Sequence, residues 1–159
     1  MSVADYQNYE FIIIENNSVL PETFAYYEKI EKEHDNVKVV YWEAGFNYSA
    51  INNFGFKFAK GDYIMLLNND VELITPDIFQ SMLGFCMRPE VGIVGAKLLY
   101  NDHTVQHAGV LVGAGGLADH VFKGLHEDDP GTWEELFLHR MCLQSLRHVL
   151  WSKNQYMKK

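Results

Sequence analysis

Short, continuously apolar runs alternate with amphipathic stretches along the first hundred residues. The apolar runs cover residues 9–15, 37–42, 62–68 and 91–100. Runs of this length without polar alternation are typical of strands that are buried on both faces. The intervening stretches repeat apolar side chains every three or four positions, as one face of a helix does. The alternation of strand and helix predicts an α/β protein with a mostly parallel sheet flanked by helices.

Residue types at the ends of the amphipathic stretches predict where the helices begin. Pro21 lies in the first turn of a helix over residues 21–34, and a second helix is predicted over residues 48–60. Thr75 and Pro76 fit the N-cap and the first position of a third helix. Beyond residue 100 the pattern weakens, with a predicted strand over 104–112 and a glycine-rich loop over 113–124.

The composition is that of a folded domain and excludes several partners. Of the 159 residues, 48% are hydrophobic and 14% aromatic, which is enough to form a core. The 13 Lys and Arg against 21 Asp and Glu give a net charge of -8, whereas nucleic-acid binding requires clustered cations. No apolar stretch approaches the ~20 residues of a membrane span. Cys86 and Cys142 have no metal-site spacing, and we expect free thiols in a cytoplasmic protein.

The tripeptide Asn68-Asn69-Asp70 follows directly on the third apolar run. Ligands of open α/β sheets bind at the carboxyl ends of strands. Carboxylate and amide oxygens suit a hard divalent cation, which a phosphate can share. The same tripeptide also fits a plain turn after a strand. The segments around it favour the cation site.

Four segments resemble family 2 glycosyltransferases of the GT-A fold, and rhamnosyltransferase-like members in particular. The segments are IIIENNS at 12–18, NFGFKFAKGDY at 53–63, LNNDVE at 67–72, and GAKLLY at 95–100 with QHAGV at 106–110. LNNDVE resembles the family's DxD-type motif, and the order and spacing over residues 9–125 match the family. The resemblance implies inverting transfer of a sugar from a UDP- or dTDP-linked donor, a nucleotide-diphospho-sugar, to a glycan or lipid-linked acceptor.

The resemblance also assigns roles to individual residues. Asp70 would hold Mn²⁺ or Mg²⁺, which acts as a Lewis acid toward the departing diphosphate, while Asn68 and Asn69 would shape the approach. Glu15 and Asn16 match positions near the nucleotide base. The alternative interpretation of Glu15 is a solvated strand end.

The same resemblance extends to further positions. Asn53 would line the donor pocket, or would cap the local backbone. His107 and His120 match places where the family often has histidine, which implies that they line the pocket. His103 and His107 have a spacing seen in metal sites, but no Cys or HExxH pattern accompanies them, and a zinc site is not predicted.

The chain departs from the family at both ends. The family's first strand would precede Tyr9, and only residues 1–8 do so. We therefore expect a GT-A fold without its first strand and acceptor half, whose exposed strands allow homo-oligomers. The family's catalytic base is a carboxylate that matches no residue here, so it is expected beyond the C-terminus. An intact relative would work in the cytoplasm or at the inner membrane face.

These observations predict a partial nucleotide-sugar-binding domain over residues 1–140 and an atypical tail over 141–159. One hypothesis is that the tail is an out-of-frame end, and a native C-terminal helix is the alternative. A non-catalytic fragment that self-associates is the main alternative function. A dinucleotide-dependent oxidoreductase is a remote one, because Gly113-x-Gly115-x-x-Ala118 fits a loose glycine fingerprint, which should open a helix.

Overall fold

A computed structural model describes residues 6–113, 118–129, 142–145 and 150–153, and divides the chain into two compact units. The N-terminal unit comprises residues 7–61, and the C-terminal unit begins at Asp62. Both units combine strands with helices, which confirms the predicted α/β class. Within the described ranges, no helix is long and apolar enough to cross a membrane.

The N-terminal unit is a parallel pair of strands with two helices. Its elements are β1 (Phe11–Glu15), α1 (Pro21–Glu33), β2 (Val37–Tyr41) and α2 (Tyr48–Phe56). The two strands pair from Phe11 opposite Val37 to Glu15 opposite Tyr41. Pro21 opens α1, where its missing N–H costs no hydrogen bond. This βαβ unit was predicted from the sequence, although α2 ends before Lys57 and not at residue 60.

Gly55 allows α2 to lie directly on β1. A Cβ at Gly55 would overlap the Cδ1 atom of Ile14, so the close approach requires glycine. On the same helix the ring of Phe54 packs against Trp42 and Phe58, with centroid separations of 5.3 and 5.2 Å. The contact therefore sets how the helix sits against the strand that carries Glu15.

We expect Gly55→Ala to lower the free energy of unfolding by up to about 2 kcal/mol. Overpacking costs about 1–3 kcal/mol, which outweighs the ~1 kcal/mol that alanine gains over glycine in a helix. Gly84→Ala is the matched control, because a Cβ there meets nothing within 4 Å. Urea unfolding of both variants measures the difference. Equal stability of the two variants would show that Ile14 moves aside without cost.

The described residues of the C-terminal unit form short strands and one helix. Its elements are β3 (Tyr63–Leu66), β4 (Val71–Leu73), α3 (Ile78–Cys86), β5 (Ile93–Gly95), β6 (Lys97–Leu99), β7 (Val105–His107), β8 (Val110–Val112), β9 (Ala118–His120), β10 (Cys142–Ser145) and β11 (Leu150–Lys153). Ile78, Met82 and Cys86 are spaced four residues apart and are fully buried along one face of α3. Ala96 and Leu98 complete this core.

The strands of the C-terminal unit form small sheets. β11 lies between β3 and β5 and is antiparallel to both. β10 lies antiparallel to β4 and parallel to β6, and β7 continues that sheet as an antiparallel neighbour of β6. β8 and β9 form a separate antiparallel pair.

The predicted mostly parallel sheet is wrong for the described residues. Of the seven strand pairs there, two are parallel and five antiparallel. Each antiparallel pair includes at least one strand beyond residue 100, where the strand–helix alternation ends. The short connections from β6 to β7 and from β8 to β9 permit only antiparallel pairing, since a parallel crossover needs about a dozen residues or more.

Two local predictions also need correction. Thr75 does not cap α3, because the helix begins at Ile78 with Asp77 in the N-cap position, and Thr75 and Pro76 form the turn before it. The alternative of a C-terminal helix is wrong for the described part of the tail, where β10 and β11 are strands. Apolar partners in the neighbouring strands override a weak helical propensity there.

Candidate functional site

The Asn68-Asn69-Asp70 segment forms the connection between β3 and β4. Asn69 and Asp70 make the turn itself and are exposed, whereas Asn68 is half-buried. The predicted plain turn is therefore present, and it displays one carboxylate and two amide groups to solvent. All three side chains carry oxygen atoms that a hard cation can use.

A divalent cation fits this turn chemically, with Asp70 as the one charged ligand. Among the described residues, no group of three or more His, Cys, Asp or Glu side chains is arranged to hold a metal ion. Mg²⁺-type ions bind through one or two carboxylates and take their other ligands from water and substrate phosphates. A single exposed carboxylate at a strand connection agrees with that mode and not with a closed metal cage.

Glu15 lies at the carboxyl end of β1 and is 5% exposed, so the alternative of a solvated strand end is wrong. Its carboxylate accepts hydrogen bonds from the backbone N–H of Ser18, from the Ser18 hydroxyl at 2.7 Å and from the Tyr27 hydroxyl at 2.9 Å. Burial alone would raise the pKa of Glu15, but these three hydrogen bonds hold it below its ordinary value. The carboxylate closes the loop between β1 and α1.

Tyr27 lies on α1 and donates a hydrogen bond from its hydroxyl to the Glu15 carboxylate. Burial, followed by the hydrogen bond that it donates to the carboxylate, raises the pKa of the Tyr27 hydroxyl. The predicted helix over residues 21–34 includes Tyr27 but does not indicate that it contacts Glu15. Its hydroxyl was the one available signal, since a buried tyrosine usually finds a hydrogen-bond partner for its O–H.

Asn16 and Asn17 join the end of β1 to the segment after β2. The Asn16 amide donates to the carbonyls of Trp42 and Ala44 at 3.1 and 3.0 Å, and the Asn17 amide donates to Ala44 at 3.1 Å. Asn17 has φ 60, a left-handed conformation that asparagine tolerates. The ENNS segment is thus tightly bonded, and the Asn16 side chain offers its carbonyl oxygen rather than its amide hydrogens to a ligand.

Asn53 lies within α2 and is exposed, so it does not cap the helix. The cap is Asn47, whose side-chain oxygen accepts from the backbone N–H of Ala50 at 3.0 Å. Asn47 was not predicted as the cap, although an Asn immediately before the first residue of a helix is a capping signal. Asn53 remains free to serve another role on the helix surface.

His107 and His120 lie close together in the C-terminal unit. Their Nδ1 atoms are 2.8 Å apart, and their ring planes cross at 84°. Both side chains are half-buried. His103 and His107 have a spacing seen in metal sites, but the structure does not pair them. The Nδ1 atom of His103 instead lies 2.8 Å from a carboxylate oxygen of Glu127.

Comparison with known proteins adds a family-level finding. The profile described as Glycosyl transferase family 2 matches residues 2–142. An uncharacterised protein of Sinorhizobium fredii is 44% identical over 124 residues, which are 76% of this chain and 14% of that protein. The O-antigen biosynthesis protein RfbC of Myxococcus xanthus is 44% identical over 127 residues, 80% of this chain and 10% of that protein. The chain thus spans a small part of these relatives' length.

Proposed function

Because the chain belongs to glycosyl transferase family 2, we propose that it binds a nucleotide-diphospho-sugar and takes part in transferring the sugar to a glycan or lipid-linked acceptor. Membership implies the GT-A fold, with which the α/β organisation agrees. The observation that carries the proposal is the exposed Asn68–Asp70 turn directly after β3, inside the family match. Carbohydrate assembly in the similar Myxococcus protein, named for O-antigen biosynthesis, supports a polysaccharide acceptor.

Donor binding is proposed to use a cation site in the C-terminal unit. In the C-terminal unit Asp70 would hold Mn²⁺ or Mg²⁺, with Asn68 and Asn69 beside it. When bound, the cation would neutralise the negative charge that develops on the departing diphosphate. Turn geometry supports this role, since the Asp70 carboxylate is exposed to solvent and to a ligand.

The remaining predicted donor contacts have different structural support. Asn53 is exposed and His107 is half-buried, so ligand atoms can reach both. Asn16 has its side-chain carbonyl available to a pyrimidine edge. Glu15 has three hydrogen bonds already, and a carboxylate accepts about four, so it would contribute at most one further contact. We propose that Glu15 chiefly shapes the loop that carries Asn16.

Transfer of the inverting type is a single displacement in which the acceptor hydroxyl attacks the anomeric carbon as the diphosphate leaves. The hydroxyl proton must pass to a base, ordinarily a carboxylate. No residue of this chain is assigned as that base, so the catalytic residues stay unknown. UDP or dTDP linkage, a rhamnosyl donor and a cytoplasmic location stay predictions within this proposal.

The test of donor binding is a calorimetric titration of UDP and of dTDP into the full chain, with and without Mn²⁺. We expect binding of at least one nucleotide only when Mn²⁺ is present, because the diphosphate and the Asp70 carboxylate repel each other without it. Absence of binding under all conditions would overturn the donor-binding proposal. The family assignment would stand, and the alternative of a non-catalytic, self-associating fragment would then be preferred.

Self-association through β1 is a further part of the proposal. β1 has one sheet neighbour, β2, in the described part of the chain, so the backbone groups of Ile12 and Ile14 point away from the pair. The opposite edge is protected, because the Glu31 carboxylate accepts from the Val39 N–H at 2.7 Å. Two β1 edges from two copies can exchange hydrogen bonds in an antiparallel pair, and an unprotected apolar edge favours that.

We expect light scattering after size exclusion to show a dimer whose population rises with protein concentration. Ile12→Pro should shift the population to monomer, because proline removes the outward N–H of that strand position. Circular dichroism checks that the variant remains folded. Association through this edge would be contradicted if Ile12→Pro had the same mass in solution as the wild type. It would also be contradicted if the wild-type protein stayed monomeric at every concentration.

A further inference from the structure

His107 and His120 of the C-terminal unit each lie at the end of a strand. His107 is the last residue of β7 and pairs with Leu98 of β6. His120 is the last residue of β9 and pairs with Val110 of β8. Gly109 has φ 128 in the link between β7 and β8, and its carbonyl accepts from the backbone N–H of Val121 at 3.2 Å. Backbone pairing therefore holds both rings in position without a ligand.

The contact between the rings brings the two Nδ1 atoms to one place. With the Nδ1 atoms 2.8 Å apart, one ring donates its Nδ1–H and the other accepts. The shared proton occupies the position between two imidazole nitrogens that a metal ion could also occupy. Both residues are half-buried, so each has part of its surface in contact with solvent.

We propose that His107 and His120 together bind a zinc-class divalent ion through their Nδ1 atoms. Two nitrogens on a tetrahedral zinc lie about 3.3 Å apart, given Zn–N bonds of ~2.0–2.1 Å, so the rings need to separate by roughly half an ångström. The ion takes the place of the shared proton, and that proton moves to Nε2 of the ring that held it. Both rings are then neutral and carry their proton on Nε2. Water or a ligand oxygen completes the coordination.

This site differs in ligand chemistry from the cation site proposed at Asp70. Imidazole nitrogen suits Zn²⁺, Cu²⁺ and Ni²⁺, whereas carboxylate and amide oxygens suit Mg²⁺ and Mn²⁺. The net charge of -8 raises the local concentration of either cation. Zinc binding at the histidine pair does not depend on the proposed donor binding, and its test needs no nucleotide.

Zinc titration of the full chain, followed calorimetrically without nucleotide, is the test. Wild-type protein should bind one Zn²⁺ that His120→Asn weakens by about tenfold or more, since loss of a ligand costs at least as much as loss of a supporting contact. Asparagine keeps an N–H near the Nδ1 position and can still donate to His107, so the local fold is retained. His103→Asn and Asp70→Asn serve as controls and should bind zinc as the wild type does.

A second measurement keeps the test independent of any variant's folding. Cu²⁺ added to wild-type protein should give an electron paramagnetic resonance spectrum with hyperfine splitting from two nitrogen ligands. Absence of zinc binding, a spectrum without two nitrogens, or equal loss of affinity in His103→Asn would overturn the proposed site. Loss of nucleotide binding alone would leave it standing, which separates its failure from failure of the proposed function.

Discussion

Replacing Asp70 by Asn is expected to weaken Mn²⁺-dependent binding of the nucleoside diphosphate by about a hundredfold, since the charged ligand proposed for the cation is lost. The substitution keeps the size of the side chain and its exposed position in the turn between β3 and β4. Asp70 packs in neither core cluster, so the free energy of unfolding should be nearly unchanged. Calorimetric titration with Mn²⁺ measures the change.

Glu72→Gln is the matched control for Asp70→Asn. Glu72 is exposed on β4, two residues along the chain, and its substitution removes the same negative charge. We expect its nucleotide affinity to stay within about fivefold of the wild type, because an exposed charge that does not coordinate the cation contributes only about 0.2–1 kcal/mol. Equal losses in both variants would mean that general charge, and not coordination by Asp70, attracts the cation.

Glu15→Gln is expected to lower the free energy of unfolding by about 3 kcal/mol at neutral pH, since hydrogen bonds to a buried charge are lost and buried donors are left poorly matched. The amide group of glutamine would face the Ser18 N–H or the Tyr27 hydroxyl, both of which donate to the native carboxylate. Tyr27→Phe removes one of the three hydrogen bonds and should cost about 1–2 kcal/mol. Urea unfolding measures both.

The stabilisation from Glu15 should also depend on pH. Its pKa is lowered in the folded protein from an ordinary value of 4.5, so the unfolded chain takes up the proton first as the pH falls. The contribution of the Glu15 carboxylate to the free energy of unfolding is complete above pH 4.5, and it is lost as the pH falls through the folded-state pKa. The stability difference between wild type and Glu15→Gln should therefore shrink on acidification. A difference that is constant between about pH 7 and pH 3 would contradict this role of the carboxylate.

The βαβ unit at residues 9–56 was predictable because each of its signals is local. Continuous apolar runs gave β1 and β2, and proline with a three-to-four spacing gave α1. The position of the Asn68–Asp70 turn followed in the same way from the end of the third apolar run. Local patterns succeed where a segment's own side chains decide its backbone conformation.

Contacts between distant residues were not predictable from those patterns. Glu15 and Tyr27 stand 12 positions apart, and Asn16 bonds to carbonyls 26 and 28 positions away. The pairing of His107 with His120 likewise depends on the register of β8 with β9, and not on spacing along the chain. Register is set by which faces are buried together, and a one-residue shift would turn every side chain to the opposite face.

By itself, the sequence determined the α/β class, the family and the place of the exposed Asp70 turn, because apolar periodicity and short motifs are written in consecutive residues. Only the tertiary structure decided strand direction beyond residue 100 and the use of Glu15 as a buried hydrogen-bond acceptor. It alone also brought the two histidine rings together. These features depend on which distant segments pair with each other. The free energy of that pairing is a property of the whole folded chain and not of any one segment.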